Sequence, residues 1–377
     1  MNRTSSVLLE FNRELNNLGE SKELRQGLSA VVQIGDTLWV ANDETISLER
    51  LSRRKDDSND VYRYSDHKQF PLNEYLQLPV LPSNSNDIEE ADIEGLDYKD
   101  DYLWLVGSHS LKRSKPKKGD SIENNLKRLA KVSKDGNRFL LARIPVVKKD
   151  GMYSLEKEIQ QGDKKLTAAQ LGGNDEGNHL TEALAQDKHL RSFLTVPGKD
   201  NGFDIEGLAI AGKRLFIGLR GPVLRGWAVI LEVELKEDKK DPFTLELNQI
   251  GPDNRPYRKH FLHLDGLGIR DLCVQERDLL ILAGPTMELD GPVMLFRWQG
   301  GVELSGESLV YLSQKNSAQN IPFGYGKDKG KDHAEGMTLF SQNGDAPRSV
   351  LMVYDSPSDN RLTQISTVEA DIFPLPT

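Results

Sequence analysis

Five short stretches of the chain share one register, and each is followed by an apolar strand core. The stretches are Ser29-Ala30-Val31, Glu94-Gly95-Leu96, Glu206-Gly207-Leu208, Arg270-Asp271-Leu272 and Glu335-Gly336-Met337. Their first residues are separated by 65, 112, 64 and 65 residues, so one unit recurs, once with an insertion of 47 residues. A period this long is typical of a toroidal or solenoid array. The repeat therefore constrains the fold more strongly than any single motif.

Each unit reads as strand, short polar turn, strand, longer connection and two further strands. In the first unit the strands cover residues 31–34, 38–41, 45–51 and 61–64. Four antiparallel strands per unit are typical of a propeller blade. The sequence predicts an all-β fold, a β-propeller of five blades that occupies residues 1–377 as one domain. Six blades is the alternative if the insertion contains strands.

The two ends of the chain are predicted to meet. The last unit supplies three strands, and the strand-like run at residues 5–11 stands where its fourth strand is needed. Pairing of this run with the C-terminal strands would close the ring and remove exposed sheet edges. The insertion, residues 149–201, has loosely helical spacing over part of its length, so we expect it to be partly helical and to lie on the top face.

Bulk composition predicts a globular protein of the cytoplasm. No leader-like segment and no apolar run of about 18 residues stands in the sequence. The lone Cys273 excludes an internal disulfide and is expected to be a small buried hydrophobe. A net charge of −9 disfavours nucleic acid and membranes as partners of the chain as a whole, although a local basic site stays open.

The connections between strands predict which face carries function. If the strands of a unit alternate in direction, all the long connections lie on one rim, which we call the top face; the channel opening there is the mouth. The register residues begin each innermost strand and so enter the channel from the top. Side chains two residues apart share a side of a strand, so Asp92 accompanies Glu94, Asp204 accompanies Glu206, and His333 accompanies Glu335. Second strands end at the same rim and bring in Asn42, Asp43, Ser108, His109, Arg220, residues 284–286 and Asp355.

The charge at this mouth must be offset. Glu94, Glu206 and Glu335 should face one narrow space, where three pairs at about 5 Å repel by roughly 10 kcal/mol in total at an effective dielectric near 20. Three remedies stay open: a bound divalent cation, proton uptake, or the arginines that the repeat itself supplies at Arg270 and Arg220. Calcium suits an oxygen-rich set better than zinc does.

The predicted top connections are rich in lysine and arginine. Solvated loops and the attraction of an anionic substrate both explain them. The basic residues are Lys112, Arg113, Lys115, Lys117, Lys118, Lys127, Arg128, Lys131, Arg255, Arg258, Lys259, Lys327, Lys329 and Lys331. The sequence holds no Gly-x-Ser-x-Gly elbow, P-loop or Rossmann glycine signature, so covalent hydrolase and nucleotide-cofactor chemistry rank low.

Several runs of the chain resemble a bacterial family known as domain of unknown function 3616. They are residues 203–210, with the sequence Phe-Asp-Ile-Glu-Gly-Leu-Ala-Ile, residues 219–228 around Arg220-Gly221-Pro222, residues 92–96, residues 284–286 and residues 333–337. The resemblance implies a β-propeller and no activity. More distantly, the Asp-x-Glu-Gly-Leu repeats look like those of phytase-like and esterase-like propellers, in which acidic residues near the channel can bind calcium.

The first functional hypothesis is a funnel that binds a small anionic ligand and hydrolyses a phosphoester or similar ester with Ca²⁺ or another divalent cation. The metal ligands would be Glu94, Glu206, Glu335, Asp92 and Asp204. The anion and proton-transfer groups would be Arg220, Arg270, His109 and His333. The competing hypothesis is a non-enzymatic propeller that binds a protein or peptide on the same face.

Overall fold

The structure of the chain is a computed structural model that describes residues 5–54, 61–81, 90–287, 289–312, 318–324, 329–342 and 344–376. The first strands are β1 (Ser5–Glu10), β2 (Asn17–Gly19), β3 (Lys22–Glu23), β4 (Leu28–Ile34), β5 (Thr37–Asn42), β6 (Ser47–Arg53) and β7 (Val61–Pro71). They are followed by β8 (Ile93–Lys99), β9 (Tyr102–Gly107), β10 (Lys112–Arg113), helix α1 (Ile122–Ala130), β11 (Val132–Ser133) and β12 (Leu141–Lys149).

The second half of the chain begins with the short elements of the insertion. These are β13 (Met152–Leu155), β14 (Glu158–Gln161), β15 (Lys164–Thr167), β16 (Ala169–Leu171), β17 (Gly173–Asn174), β18 (Gly177–Asn178) and helix α2 (His179–Leu184). The next strands are β19 (Asp204–Ala211), β20 (Arg214–Gly221), β21 (Trp227–Glu237), β22 (Thr244–Leu247) and β23 (Arg258–His263). The last are β24 (Gly268–Gln275), β25 (Asp278–Gly284), β26 (Val293–Trp298), β27 (Ser308–Tyr311), β28 (Ala318–Ile321), β29 (His333–Phe340), β30 (Ser349–Asp355) and β31 (Thr367–Pro374).

The strands form antiparallel meanders, each of which starts at one of the repeated registers. The pairing orders are β4-β5-β6-β7, β8-β9-β12-β16, β19-β20-β21-β23, β24-β25-β26-β28 and β29-β30-β31-β1. The first strand of each meander, which we call a first strand from here on, packs against the first strands of two other meanders. Together they form a closed cycle in the order β4, β8, β19, β24, β29 and back to β4. A ring of radial antiparallel sheets is the architecture of a β-propeller.

The glycine of the repeat allows neighbouring first strands to approach closely. A Cβ on Gly95 would lie 2.8 Å from the backbone nitrogen of Leu208, and a Cβ on Gly336 would lie 2.8 Å from the Cα of Ala30. Real Cβ atoms do not approach other atoms this closely, so these positions exclude any side chain. The Glu-Gly sequence therefore places the glycine at the contact between blades.

The N-terminal strand closes the ring as the sequence predicts. Strand β1 pairs antiparallel with β31 and parallel with β7, so it joins the last meander to the first. Its side chains Val7 and Leu9 are fully buried between these strands. Apolar burial and backbone pairing both hold the two ends of the chain together.

Removal of residues 1–12 is expected to lower the melting temperature, because the deletion exposes an edge of β31 and the apolar surface that Val7 and Leu9 cover. Burial of two such side chains is worth roughly 3–6 kcal/mol, which is comparable with the stability of a whole domain. Thermal unfolding followed by circular dichroism measures the change. An unchanged melting curve would contradict closure by β1.

The insertion is partly helical, as the sequence predicts. Its only α-helix within the described residues is α2, and residues 166–178 form short strands because Gly172 and Gly173 favour a tight hairpin over a helix. Strand β16 adds to β12 and to β22, and thus links two meanders. A position of residues 149–201 on the top face stays a prediction.

Composition predicts a buried Cys273 and no membrane-spanning segment. Cys273 lies in β24 as expected but is half-buried, and it forms no disulfide. In the described ranges, no helix combines the length and the apolar character that crossing a bilayer requires.

Candidate functional site: the channel mouth

Each repeated register position is the site of a β-bulge. The pairing register between first and second strands shifts at Leu28/Ala30, Ile93/Gly95, Ile205/Leu208, Ile269/Asp271 and Ala334/Gly336. The residues left out of the ladder are Ser29, Glu94, Glu206 with Gly207, Arg270 and Glu335. A bulge re-aims a side chain and recurs beside functional sites. The repeated register thus corresponds to one structural device, used once in each meander.

The three glutamates line a single cavity. Glu94, Glu206 and Glu335 all border a cavity of about 680 Å³ at the mouth, and Asp92 and Asp204 border it with them. A smaller cavity of about 160 Å³ adjoins it and shares with it Lys115, Lys199, Arg220, Glu335 and Asp355. The sequence predicts this convergence of acidic side chains correctly from strand connectivity.

Arg270 binds two of the three glutamates. Its Nη1 donates a hydrogen bond to Oε2 of Glu206 at 3.0 Å and another to Oε1 of Glu335. Its Nη2 donates to the backbone carbonyl of Pro285 at 3.1 Å. Arg270 stands between these two glutamates in the cyclic order of first strands, so it reaches both neighbours without moving the backbone.

Arg220 provides a second cation for the same carboxylate. Its Nη1 donates to Oε1 of Glu206 at 2.6 Å and lies 3.8 Å from Oδ2 of Asp204, while its Nη2 donates to the carbonyl of Met287 at 2.9 Å. Both oxygens of Glu206 are therefore occupied by guanidinium groups. Such a pair is tightly held because charge-assisted hydrogen bonds are strong in a shielded site.

In these contacts arginines neutralise the charges of Glu206 and Glu335, which is one of the three possibilities that the sequence leaves open. Among the described residues, no three His, Cys, Asp or Glu side chains are grouped closely enough to form a metal cluster. The guanidinium groups also occupy both oxygens of Glu206 and one oxygen of Glu335, which a cation would need. A divalent cation at Glu94, Glu206, Glu335, Asp92 and Asp204 stays a prediction, and the geometry does not favour it.

Glu94 is the acid that the arginines do not reach. No ion pair or hydrogen bond joins its carboxyl to another described residue; its neighbours in the ring are Ser29, whose Oγ donates to the carbonyl of Ile93, and Glu206. Desolvation, followed by the charges of Asp92 and Glu206, raises the pKa of Glu94 well above its usual range. At this position the raised pKa favours proton uptake over an ion pair as the offset to the acidic charge.

Asp43 is a second carboxyl without a counterion at the mouth. Its Oδ1 is buried and has no hydrogen-bond partner among the described residues. Desolvation and then the charge of Asp355 raise the pKa of Asp43 well above its usual range. Sequence reasoning places Asp43 and Asp355 near the mouth, and both residues line the larger cavity.

Asp204 lies deeper and titrates near neutrality. It is buried, and its closest cation is Arg220 at 3.8 Å. Burial raises the pKa of Asp204 to about 7, although Arg220 lowers it. At neutral pH this carboxyl therefore exchanges a proton readily, as an acid–base group must.

Asp204→Asn is expected to flatten the pH dependence of stability between about pH 4 and pH 7. In that window the native carboxyl keeps its proton, since its pKa is about 7, while the unfolded chain, with a pKa near 3.9, has lost it. Because the native state binds more protons in this window, the contribution of Asp204 to the free energy of unfolding is fully present below about pH 4. It falls, by up to about 4 kcal/mol, as pH rises through 7. Urea unfolding of both proteins from pH 5 to pH 8 measures the difference.

Asp97 serves as an internal reference for this experiment. Burial also raises its pKa to about 7, despite hydrogen bonds from the backbone of Ile210 and Tyr98. The Asp204→Asn variant therefore keeps the part of the pH dependence that Asp97 contributes. The difference in stability between the two proteins isolates the contribution of Asp204. A difference that stays constant with pH would contradict the assignment.

Asp92 is paired with an arginine that sequence reasoning missed. Nη1 of Arg138 lies 2.7 Å from Oδ2 of Asp92 and donates to Oγ of Ser110 at 3.0 Å, while its Nη2 donates to Glu90. Burial raises the pKa of Asp92 although Arg138 lowers it. Arg138 lies in the connection before β12, outside the repeated register, so the repeat carries no signal for it.

Lys199 is a second residue of the mouth that lies outside the repeat. It is exposed, and it lines both cavities. Partial desolvation of its amine inside the mouth and the charge of Arg220 lower the pKa of Lys199, but the charges of Glu335, Asp355 and Glu206 outweigh them and raise it. No ion pair or hydrogen bond joins its amine to another residue in the described part of the chain. Lys199 is therefore a cation at the mouth that remains available to a ligand.

The two predicted proton-transfer histidines differ in position. His109 is buried away from both cavities: its Nδ1 bonds the carbonyl of Gly107 at 2.8 Å and its Nε2 lies 2.8 Å from the side-chain nitrogen of Asn178. Burial lowers its pKa to about 4, so the ring is neutral. His109 is therefore not in a position to transfer a proton at the mouth, contrary to the prediction. His333 lines the smaller cavity, and its Nε2 contacts the carbonyl of Gly330 at 2.9 Å.

The basic connections surround the mouth only in part. Lys112, Arg113, Lys115 and Arg128 line the larger cavity. Arg255, Arg258 and Lys259 instead form ion pairs with Asp187, Glu232 or Glu307, away from either cavity. Lys327 lies outside the described residues.

Comparison with known proteins gives a family match and several solved structures of low similarity. The family model described as "Protein of unknown function (DUF3616)" matches residues 27–371. Glutaminyl cyclase from Myxococcus xanthus shares 9% identity over 100% of both chains, with a TM-score of 0.35. The PQQ-bound aldose sugar dehydrogenase of Streptomyces coelicolor shares 10% identity over 98% of this chain and 99% of that one, with a TM-score of 0.33. Saccharomyces cerevisiae Sqt1 shares 8% identity over 100% of both chains, with a TM-score of 0.33. No curated protein matches the chain.

Proposed function

Because the chain belongs to the DUF3616 family, which is described without an activity, we propose its function from the channel mouth itself. The chain is a five-bladed propeller, one blade for each first strand in the closed cycle. Its mouth binds a small ligand that carries an anionic group such as a phosphate. The acidic side of the mouth then hydrolyses an ester bond of that ligand by acid–base chemistry.

The smaller cavity supports the anionic half of the proposal. Its described lining includes four cationic side chains, Lys115, Lys199, Arg220 and Arg270, and three acidic ones, Asp290, Glu335 and Asp355. Cations that converge on a concave site favour an anion and hold it in a defined orientation. Lys199 is the cation that would contact the ligand directly, because the two arginines are engaged by glutamates.

The larger cavity supports the acid–base half. Two carboxyls in different surroundings border it: Glu94, which no arginine contacts and whose pKa lies well above its usual range, and Asp204, which lies 3.8 Å from Arg220 and whose pKa is about 7. Environments that separate the proton affinities of two carboxyls assign one as acid and the other as base. Glu94 would donate its proton to the leaving oxygen, and Asp204 would accept a proton from the attacking water. The observation that carries the proposal is that Glu94, which no described cation contacts, and Lys199, whose amine has no described partner, line the same cavity.

The catalytic half is tested with generic chromogenic phosphomonoesters, phosphodiesters and carboxylic esters. Glu94→Gln is expected to lower kcat by about 10²–10⁴, the usual contribution of general acid catalysis, with little change in stability, since glutamine is neutral like the protonated glutamic acid. Equal rates for the two proteins would contradict the role of Glu94. Added Ca²⁺ or Mn²⁺ would raise the rate only if the sequence-based metal prediction holds.

The binding half is tested with inorganic phosphate by calorimetry. Lys199→Gln is expected to weaken phosphate binding by about tenfold, because one charge-assisted hydrogen bond is lost. Lys213→Gln is the matched control, since Lys213 is exposed in the turn between β19 and β20, far from either cavity lining. No binding, or equal binding in all three proteins, would favour the competing hypothesis of a non-enzymatic, protein-binding propeller.

A further inference from the structure

Helix α1 exposes an apolar stripe to solvent. Ile122, Leu126 and Leu129 follow one another at spacings of four and three residues, so they lie on one side of the helix. They are 81%, 61% and 43% exposed, and no residue of the helix is buried. The helix is well formed, with Ser121 accepting a hydrogen bond from the backbone of Asn124 at its N-terminus. Aliphatic side chains grouped in this way mark an interaction surface.

The stripe lies within the most basic segment of an acidic chain. Residues 112–134 contain nine Lys or Arg and two Asp or Glu, whereas the whole chain has a net charge of −9. Lys117, Lys118 and Lys131 are exposed, and no ion pair joins them to another described residue. Lys127 is on the polar face of α1, where it pairs with Glu123. Charge is therefore segregated, and the positive part coincides with the apolar stripe.

Apolar side chains also border the two cavities of the mouth. The C-terminal end of α1 borders the larger cavity through Arg128 and Leu129. Met287 and Leu289 border the adjoining smaller cavity, and Leu289 is 59% exposed. The rim of the mouth thus combines cations with exposed aliphatic groups at two separate places.

We propose that α1 and the basic loop before it, residues 112–121, dock on an anionic lipid membrane with the mouth turned toward the lipid headgroups. A convex amphipathic helix with Lys and Arg on its polar face lies well in the interface of a bilayer, which needs no complementary groove. Each cation near an anionic surface adds to the attraction. The stripe is aliphatic, and nucleic-acid bases stack on aromatic rings instead. The expectation of no membrane partner followed from the net charge, which does not describe this local patch.

Sedimentation of the full chain with vesicles tests the proposal. The chain is expected to bind vesicles that contain phosphatidylglycerol, to bind pure phosphatidylcholine at least about tenfold more weakly, and to dissociate as salt rises. Leu126→Asp is expected to reduce binding by about tenfold or more, because it removes an apolar anchor and adds repulsion. Leu309→Asp is the matched control: Leu309 is 62% exposed on strand β27, away from the cavities, and its replacement should leave binding unchanged.

Two outcomes would overturn the proposal. Failure of the native chain to sediment with phosphatidylglycerol vesicles would do so, as would equal binding by Leu126→Asp. Dimerisation that Leu126→Asp abolishes, without vesicle binding, would assign the stripe to a second copy instead. Glu94→Gln should bind vesicles like the native chain, so this result is independent of whether the mouth is catalytic.

Discussion

Replacement of Arg270 by leucine is expected to lower the free energy of unfolding by about 3–5 kcal/mol at neutral pH, the cost of breaking a buried charge pair from one side. Arg270 donates to both Glu206 and Glu335, so its loss removes the cation between two carboxylates of neighbouring blades. Arg220 continues to bind Glu206, but no other described cation contacts Glu335 within ion-pair distance. Urea unfolding at constant temperature measures the effect.

A double variant separates charge from packing in this experiment. Arg270→Leu combined with Glu335→Gln removes the orphaned carboxylate, and we expect it to recover at least half of the lost stability. Lower pH should also reduce the cost of the single variant, since protonation of Glu335 removes the same charge. A single variant within about 1 kcal/mol of the native protein would show that Arg270 does not hold the mouth together.

Gly207→Ala is expected to be about as damaging, through backbone geometry rather than charge. Gly207 has a φ of +134°, which L residues rarely adopt, and a Cβ there would lie 2.8 Å from the Cα of Asp271 in the next first strand. Strain of this kind and overpacking against backbone cost about 1–3 kcal/mol each. The variant should therefore lose about 2–6 kcal/mol, measured by urea unfolding.

Gly212→Ala is the matched control for backbone strain alone. Gly212 also has a positive φ, +64°, but a Cβ at this position meets nothing within 4 Å. Its replacement should cost about 1 kcal/mol. If the two variants lose equal stability, the close contact between blades is not what the glycine of the repeat serves.

The residues of the mouth that occupy the repeated register can be predicted from the sequence. Glu94, Glu206, Arg270 and Glu335 could be found from sequence because a bulge at the same point of each first hairpin turns them toward the channel. The pairing of the two ends through β1 could be found because one meander lacked a strand. Both inferences need only chain order and the alternation of strands.

The other residues of the mouth lie in connections between strands, and these connections do not repeat along the sequence. Arg138 and Lys199 come from segments between strands, and nothing in their spacing places them at the mouth. His109 follows β9 as expected, but its φ of +55° turns the chain, and the ring packs beside Phe139 instead of facing the cavity. Helix α1 lies in a segment that the strand pattern predicts as a basic connection, although the spacing of Ile122, Leu126 and Leu129 after Ser121 is a helical signal.

Glu94 is the carboxyl of the mouth whose raised pKa and lack of a described cationic partner set it apart from Glu206 and Glu335. Infrared difference spectra of the native chain and Glu94→Gln, recorded across a pH series, measure the ionisation of this one carboxyl. We expect a protonated carboxyl band that persists at pH values where free glutamic acid, with a pKa of about 4.3, is ionised, because desolvation and the neighbouring carboxylates raise the pKa of Glu94. A carboxylate band that develops with an ordinary glutamate pKa would contradict the account.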